Sequence, residues 1–306
     1  MSQSISVRAH AKLNLTLRVL GLRPDGYHEL RTIFQSLALH DTLTVVSRPG
    51  PFEILCNDPG CPLDESNLVW RAAEQLWRRR GRRGGVSGVQ IRIVKRIPMQ
   101  AGLGGGSSDA AAALAALAVS WRMRPAAADL GSIGRQLGAD VPFFFDGGTA
   151  LGLERGDLLY PLPDVTAAWV VLALPSFGVS TKDAYGWWDA ASGTAKGRRR
   201  LPPSDPALTV FQLPSREIIN DLQDPVVAHH PEVGRLVSRL RRLGAIHAAM
   251  SGSGSAVFGL FPTRAEANQA ARSLGRAQIR VLVTRTIGRR AFQRSSRPRD
   301  LSEMCK

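Results

Sequence analysis

The run Pro98-Met99-Gln100-Ala101-Gly102-Leu103-Gly104-Gly105-Gly106-Ser107-Ser108-Asp109 constrains this chain more than any other part of its 306 residues. Upstream, Val89, Ile91 and Ile93 alternate with Gln90 and Arg92, the period of a half-buried strand, and Pro98 closes it. Downstream, Ala110 to Leu117 is a run of strong helix formers. Between the two, Gly102, Gly104, Gly105 and Gly106 leave a loop almost without side chains, so that a ligand can touch its backbone N–H groups directly. The helix start adds its own unpaired N–H groups and the positive end of its dipole. A polyphosphate suits that combination, and a nucleotide-using enzyme is the class it points to. Ser107, Ser108 and Asp109 are all good N-cap types. Asp109 puts a carboxylate where phosphates are expected, so it either caps the helix pointing away or sits near a metal ion.

Three glycine-rich templates compete for this loop. The P-loop requires a lysine after its last glycine, and Ser107 follows Gly106. The dinucleotide fingerprint, counted from Gly102 and Gly104, requires glycine at position 107. The pattern Pro-x-x-x-Gly-Leu-Gly-x-x-Ser-Ser is met at each fixed position from Pro98 to Ser108. It resembles the phosphate loop of the galactokinase/homoserine kinase/mevalonate kinase (GHMP) superfamily.

Hydrophobic residues make up 44% of the chain, enough for one large or two smaller cores, and no apolar run reaches the length of a membrane span. Residues 1–8 lack a charged-then-apolar leader pattern, so the expected location is cytoplasmic. Cys56, Cys61 and Cys305 have no metal-ligand spacing and read as reduced structural thiols. The net charge of +15 raises a nucleic-acid reading. The charge is concentrated in separate stretches, Arg78 to Arg83, Lys196 to Arg200 and residues 289–306, without aromatic residues interleaved to stack bases. Solvated basic loops are the simpler reading, and no specific nucleic-acid or membrane partner is expected.

The periodicity predicts strands near residues 13–20, 42–47, 52–56 and 89–97, and helices over 68–80 (capped by Ser66 or Asn67) and 126–137. A buried strand is expected at 169–174, then a loop over 191–206. Helices follow at 231–243 and 263–274, with strands near 245–250, 256–261 and 279–287. His229 and His230 read as surface loop, and His10 as structural. The class is α+β, with domains at 1–155 and 156–288 and a basic, disordered tail at 289–306.

Three further segments point the same way as the glycine loop: Ala11-Lys12-Leu13-Asn14-Leu15 with Asp25-Gly26-Tyr27-His28, then Gly138-Ala139-Asp140-Val141-Pro142, then Ser251-Gly252-Ser253-Gly254-Ser255. Together they resemble the 4-diphosphocytidyl-2-C-methyl-D-erythritol kinases within the GHMP superfamily, over residues 8–287 or so. The Lys-x-Asn segment with Asp-Gly-Tyr-His selects this branch over its relatives.

The resemblance implies a two-domain fold, a ribosomal-protein-like first domain and a ferredoxin-like α/β sandwich second, with the active site in the cleft between. It implies ATP and Mg²⁺ as cofactors, a small-molecule cytidine diphosphate ester as substrate, and a monomer or weak dimer. Asp140 would be the general base, with Lys12 beside it stabilising negative charge. Residues 98–108 would bind the ATP phosphates. Asn14 would fix the acceptor, Tyr27 and His28 would hold the cytidine end, and Tyr185 would stack on the other face of cytosine. Thr181 would also line that pocket, and Gly252, Ser253, Gly254 and Ser255 would close the floor of the site near the acceptor and phosphates. Two other readings compete: a relative acting on homoserine or mevalonate, which carry no base to stack, and a basic nucleic-acid-binding protein, which needs no acid–base pair.

Overall fold

The computed structural model describes residues 3–193, 218–275 and 279–301 and contains two sheets. In the first, β1 (Ser4–Leu22) pairs antiparallel with β2 (His28–Pro51), and β2 with β4 (Ser87–Val94); β3 (Glu53–Cys56) lies parallel to β4. A branch of β5 (Thr149–Glu154) and β6 (Leu158–Pro161) extends from β2. The second sheet is antiparallel, in the order β10 (Arg280–Arg285), β7 (Trp169–Leu174), β9 (Val257–Phe261), β8 (His247–Met250). Sheet membership thus changes between Pro161 and Trp169, a few residues beyond the expected boundary.

Three helices cover the first sheet: α1 (Leu68–Arg79), α2 (Gly105–Ser120) and α3 (Ala127–Leu137). Asn67 caps α1 by accepting from the Val69 N–H at 2.9 Å, one of the two residues expected there. Helix α2 is buried on nearly all sides, including Ala110 to Leu114, because alanine lets neighbouring elements approach closely. After the short α4 (Phe143–Asp146), the second sheet carries α5 (Thr181–Ser192), α6 (Gln223–His229), α7 (Pro231–Arg242) and α8 (Arg264–Leu274). Leu13, Leu15 and Leu37 of the first sheet share a core with Leu172 and Phe258 of the second, which fixes the two sheets against each other. No helix among the described residues is long and apolar enough to cross a membrane.

Three expectations need correction. The chain past Arg289 is not a disordered tail through residue 301: α9 (Arg289–Ser295) and β11 (Arg299–Asp300) return to the first sheet, where β11 pairs with Ile5 and Ser6 of β1. Phe292, at 1% exposure, with Ala291 packed against the same core, anchors this otherwise basic segment, and basic composition concealed it. Strands β1 and β2 also run far beyond their expected limits. Both are bulged and doubly covered near their middles, which erases the alternation that marks a half-exposed strand. Third, His229 and His230 are not loop: His229 is the exposed last residue of α6 and His230 its C-cap, and they stack on Trp187 and Phe177, at 4.1 and 4.4 Å between ring centroids. The loop expected over 191–206 lies beyond the described residues from 194 onward, as does Cys305.

His10 does prove structural. Its ring nitrogens meet the Leu37 carbonyl at 2.9 Å and the Ser295 hydroxyl at 2.7 Å, tying β1 to α9. Burial, then the charge of neighbouring His40, lowers its pKa from 6.5 to about 4. Between those two values the unfolded chain binds a proton that the folded chain refuses, so stability is lost as pH falls through that window. On the order of 3 kcal/mol is at stake for a shift of this size. Urea unfolding of wild type and His10→Gln should therefore converge as the pH is lowered from about 7 to about 4; parallel curves would refute this role.

Candidate active site

Lys12 sits where β1 is bulged and covered on both faces, and its side chain is only 4% exposed. A lysine buried that deeply needs partners, and it has two: its ammonium donates to Asn14 Oδ1 at 2.5 Å and pairs with Asp140 Oδ2 at 3.2 Å. The Phe34 ring lies 5.3 Å from the same nitrogen. Asn14 Nδ2 in turn donates to Thr32 Oγ1 at 2.6 Å, whose hydroxyl donates to the Thr16 carbonyl at 2.7 Å. Residues two apart on one strand thus hold an ammonium and an amide side by side. Asp140 arrives from the turn after α3, where the Asp140 carbonyl accepts from the Phe143 N–H, and its carboxylate stays about one-third exposed toward the cleft.

The glycine loop lies directly over Lys12. The Lys12 N–H donates to the Leu103 carbonyl at 3.0 Å. A Cβ on Gly104 would stand 2.9 Å from Lys12 Cγ, so only glycine leaves room for the lysine stem below. Gly102 and Gly104 both have φ of +72°, the left-handed region that glycine enters without strain. Helix α2 starts at Gly105, earlier than the serines suggested, and Gly104 at its N-cap offers no side-chain acceptor. The capping expectation for Ser107, Ser108 and Asp109 therefore fails. The first-turn amides are left without an internal cap, as an anion site at a helix N-terminus requires. A Cβ on Gly106 would meet only Leu68, at 3.9 Å, so the helix start faces open space. Ser107 lines the cleft; Ser108 does not, being 1% exposed and turned into the core within the first turn of α2.

Asp109 does not cap the helix; it lies at the cleft wall with Oδ1 buried and without a partner among the described residues. It is buried against Lys95, whose ammonium lies 2.8 Å from Asp109 Oδ2 and 2.5 Å from Asp41 Oδ2. Asp41 also accepts from the Arg96 and Ile97 N–H groups, which pins the exit of β4 to β2. Burial pushes the Asp109 carboxyl up, against the opposing charge of Lys95, while the two carboxylates raise Lys95 above the ordinary lysine value despite its own burial. A Cβ on Gly105 would lie 3.2 Å from the Lys95 ammonium, so this ionic knot underlies the loop. Burial and the adjacent Cys56 thiol hold Cys61 protonated, with a pKa of about 12, in keeping with a structural thiol.

The third glycine segment closes the far wall. Ser251 Oγ donates to the Gly102 carbonyl at 3.1 Å, and Gly252 packs against Asn14 and Gly102. Thr181 and Ser253 hydroxyls lie 3.3 Å apart across the cleft. Sequence reasoning missed what holds this segment: Asn220 donates from Nδ2 to both the Met250 and Gly252 carbonyls at 2.8 Å. One asparagine before a short helix carries no motif that would have marked it.

Also along the cleft, Tyr27 is 56% exposed with the Arg155 guanidinium 5.1 Å from its ring centre. Tyr185 stacks directly on His28, 4.6 Å between centroids and 23° between planes. Burial, then the Asp140 carboxylate, raises the Tyr185 phenol, which remains a neutral O–H. Asp189 and Arg155 line the cleft here and were also missed, since neither lies in a recognisable pattern. All the expected site residues except Ser108 line one open cleft of about 1260 Å³ between the two sheets. Among the described residues no group of three or more His, Cys, Asp or Glu side chains is placed to hold a metal ion.

Comparison with known proteins gives a concordant picture. Family models described as "GHMP kinases N terminal domain" and "GHMP kinases C terminal" match residues 67–148 and 207–280. A protein of Moorella thermoacetica named 4-diphosphocytidyl-2-C-methyl-D-erythritol kinase is 40% identical over 92% of this chain and 99% of its own length. One of the same name from Solibacter usitatus is 44% identical over 88% and 85%. A crystal structure of 4-(cytidine 5'-diphospho)-2C-methyl-D-erythritol kinase, 35% identical, matches with a TM-score of 0.75 over 92% of this chain and 99% of that one. Homoserine kinase from Cytophaga hutchinsonii, at 18% identity and a TM-score of 0.69 over 97% of both chains, shares the fold.

Proposed function

The chain belongs to the 4-diphosphocytidyl-2-C-methyl-D-erythritol kinases of the GHMP family, and from that premise we propose how its residues carry the reaction. The reaction is ATP-dependent phosphorylation of the 2-hydroxyl of 4-diphosphocytidyl-2-C-methyl-D-erythritol, giving the 2-phosphate and ADP, in the non-mevalonate route to isoprenoid precursors. The observation that supports the assignment of roles is the contact of three elements: Lys12 beside Asp140, and the glycine loop bonded to Lys12.

The bare amides of residues 102–107 hold the nucleotide phosphates at the positive end of α2. The substrate hydroxyl lies at Asp140 and attacks the terminal phosphorus in line. A new O–P bond forms, the bond to the β-phosphate oxygen breaks, and Asp140 takes the hydroxyl proton. Lys12 offsets negative charge on that oxygen and is itself held in place by Asn14. A tertiary alcohol is hindered, so the fixed ammonium–amide–carboxylate group contributes mainly orientation. Mg²⁺ would travel with the phosphates and neutralise their charge; of the cleft carboxylates, Asp140 pairs with Lys12 through Oδ2, and Asp109 bonds Lys95 through Oδ2 while its buried Oδ1 has no partner among the described residues.

Tyr27, His28 and Tyr185 receive the cytidine end, with Thr181 and residues 252–254 along the path between base and acceptor. Purified protein given ATP, Mg²⁺ and a panel of the cytidine diphosphate ester, free methylerythritol, homoserine and mevalonate should release ADP with the ester alone. Comparable turnover on mevalonate would sink the substrate assignment.

A further inference from the structure

His28 opens β2 at the base end of the cleft, and helix α5 fixes its ring from two directions. Tyr185 covers one face, and Trp188 meets the imidazole at 5.7 Å and 90°. Asp189, one residue further on, brings Oδ1 to 2.9 Å from Nε2. The imidazole is nearly buried, at 11% side-chain exposure, and Asp189 is partly so, at 29%. Neither the plane of this ring nor its rotation is left free.

The chemistry of that contact decides which nitrogen carries the proton. An ionised carboxylate only accepts hydrogen bonds, so Nε2 donates. In the neutral ring Nδ1 is then a bare lone pair, and among the described residues Nδ1 makes no hydrogen bond, leaving it for a ligand. Cytosine and uracil differ at the group such a lone pair would meet. Cytosine presents an amino group at C4, which donates; uracil presents a carbonyl oxygen, which accepts. A lone pair at Nδ1 satisfies the first and repels the second. The opposite tautomer would present an N–H and reverse that preference.

We propose that Asp189 is a positioning residue that holds His28 as the Nε2–H tautomer and so makes the cleft select cytosine over uracil in the nucleotide end of the substrate. This rests on the substrate reading above, and it deepens that reading by naming what rejects the uridine analogue. A buried polar group left facing a like group is what lets a site built on hydrogen bonds discriminate strongly. The His28–Asp189 contact involves neither Lys12 nor Asp140, where the reading above puts the reacting hydroxyl, so the effect belongs to binding and not to phosphoryl transfer.

The test compares kcat/KM for the cytidine and uridine diphosphate esters in wild type and in Asp189→Asn, which keeps the shape while allowing either tautomer of His28. Wild type should favour the cytidine ester, and Asp189→Asn should reduce that ratio about tenfold or more, through KM, with kcat on the cytidine ester nearly unchanged. A purely structural role would lower both esters alike and leave the ratio intact, which would overturn the proposal. The ¹⁵N resonances of His28 in unmodified protein supply an independent check: protonated Nε2 with bare Nδ1 supports the proposal, and protonated Nδ1 refutes it. Absence of turnover with either ester would instead count against the substrate reading, and the resonances would still decide the tautomer.

Discussion

Asp140→Asn is expected to lower kcat by about 10²–10⁴-fold while ATP binding stays within about threefold of wild type. The asparagine keeps the volume and one acceptor oxygen for Lys12 but cannot take a proton at neutral pH. The buried ammonium is then left with neutral acceptors, the new amide oxygen and Asn14 Oδ1 at 2.5 Å, in place of a carboxylate. The nucleotide loop contacts Lys12 through backbone, at the Leu103 carbonyl, so the phosphate cradle should survive the substitution. Isothermal titration with a non-hydrolysable ATP analogue and steady-state ADP release separate the two effects. A near-normal rate in Asp140→Asn would remove Asp140 from the role of base; loss of nucleotide binding along with rate would mean that it acts through the fold.

Gly102→Ala should be the more damaging change to the molecule as a whole. Its Cβ would fall 2.1 Å from the Ser251 carbonyl oxygen, and φ of +72° is already strained for any residue with a side chain. Backbone has to move on one side or the other, and Gly102 and the Ser251–Gly254 segment form the two walls that meet beside Asn14. A stability loss of about 1–3 kcal/mol is expected, with kcat/KM reduced on the order of 10²-fold, the scale of a loop misplaced by about 1 Å. Gly106→Ala is the internal comparison. That position is helical and its Cβ would touch only Leu68, at 3.9 Å, so the fold should be kept or gain about 1 kcal/mol. Any loss of activity there reports crowding of the phosphates. Equal thermal stability of the two variants would show that the packing argument at Gly102 is wrong.

Much of this was legible in the residues. The loop announced itself because bare backbone between a strand and a helix has few other uses, and Lys12, Asp140 and the Ser251–Ser255 segment were found because each sits in a short segment that resembles a known family. What escaped notice lacked such a pattern. Asn220 earns its place only by reaching two carbonyls about thirty residues away along the chain. Asp189 matters through a histidine 161 positions earlier. Lys95 and Asp41 become one ionic knot with Asp109 only when β2, β4 and α2 are stacked. The same reason explains the tail: Phe292 identifies itself as an anchor only once there is a core to receive it.

The sequence alone determined the class of fold and the loop able to hold phosphates, because propensity and glycine freedom act over a few neighbours; the charged pair to look for came from the resemblance to a known family. The tertiary structure decided where helix α2 begins, which serine faces the cleft, that Asp109 is tied to Lys95, and which nitrogen of His28 meets Asp189. Each of those depends on what lies within a few ångströms in space, and distance along the chain carries almost no information about that.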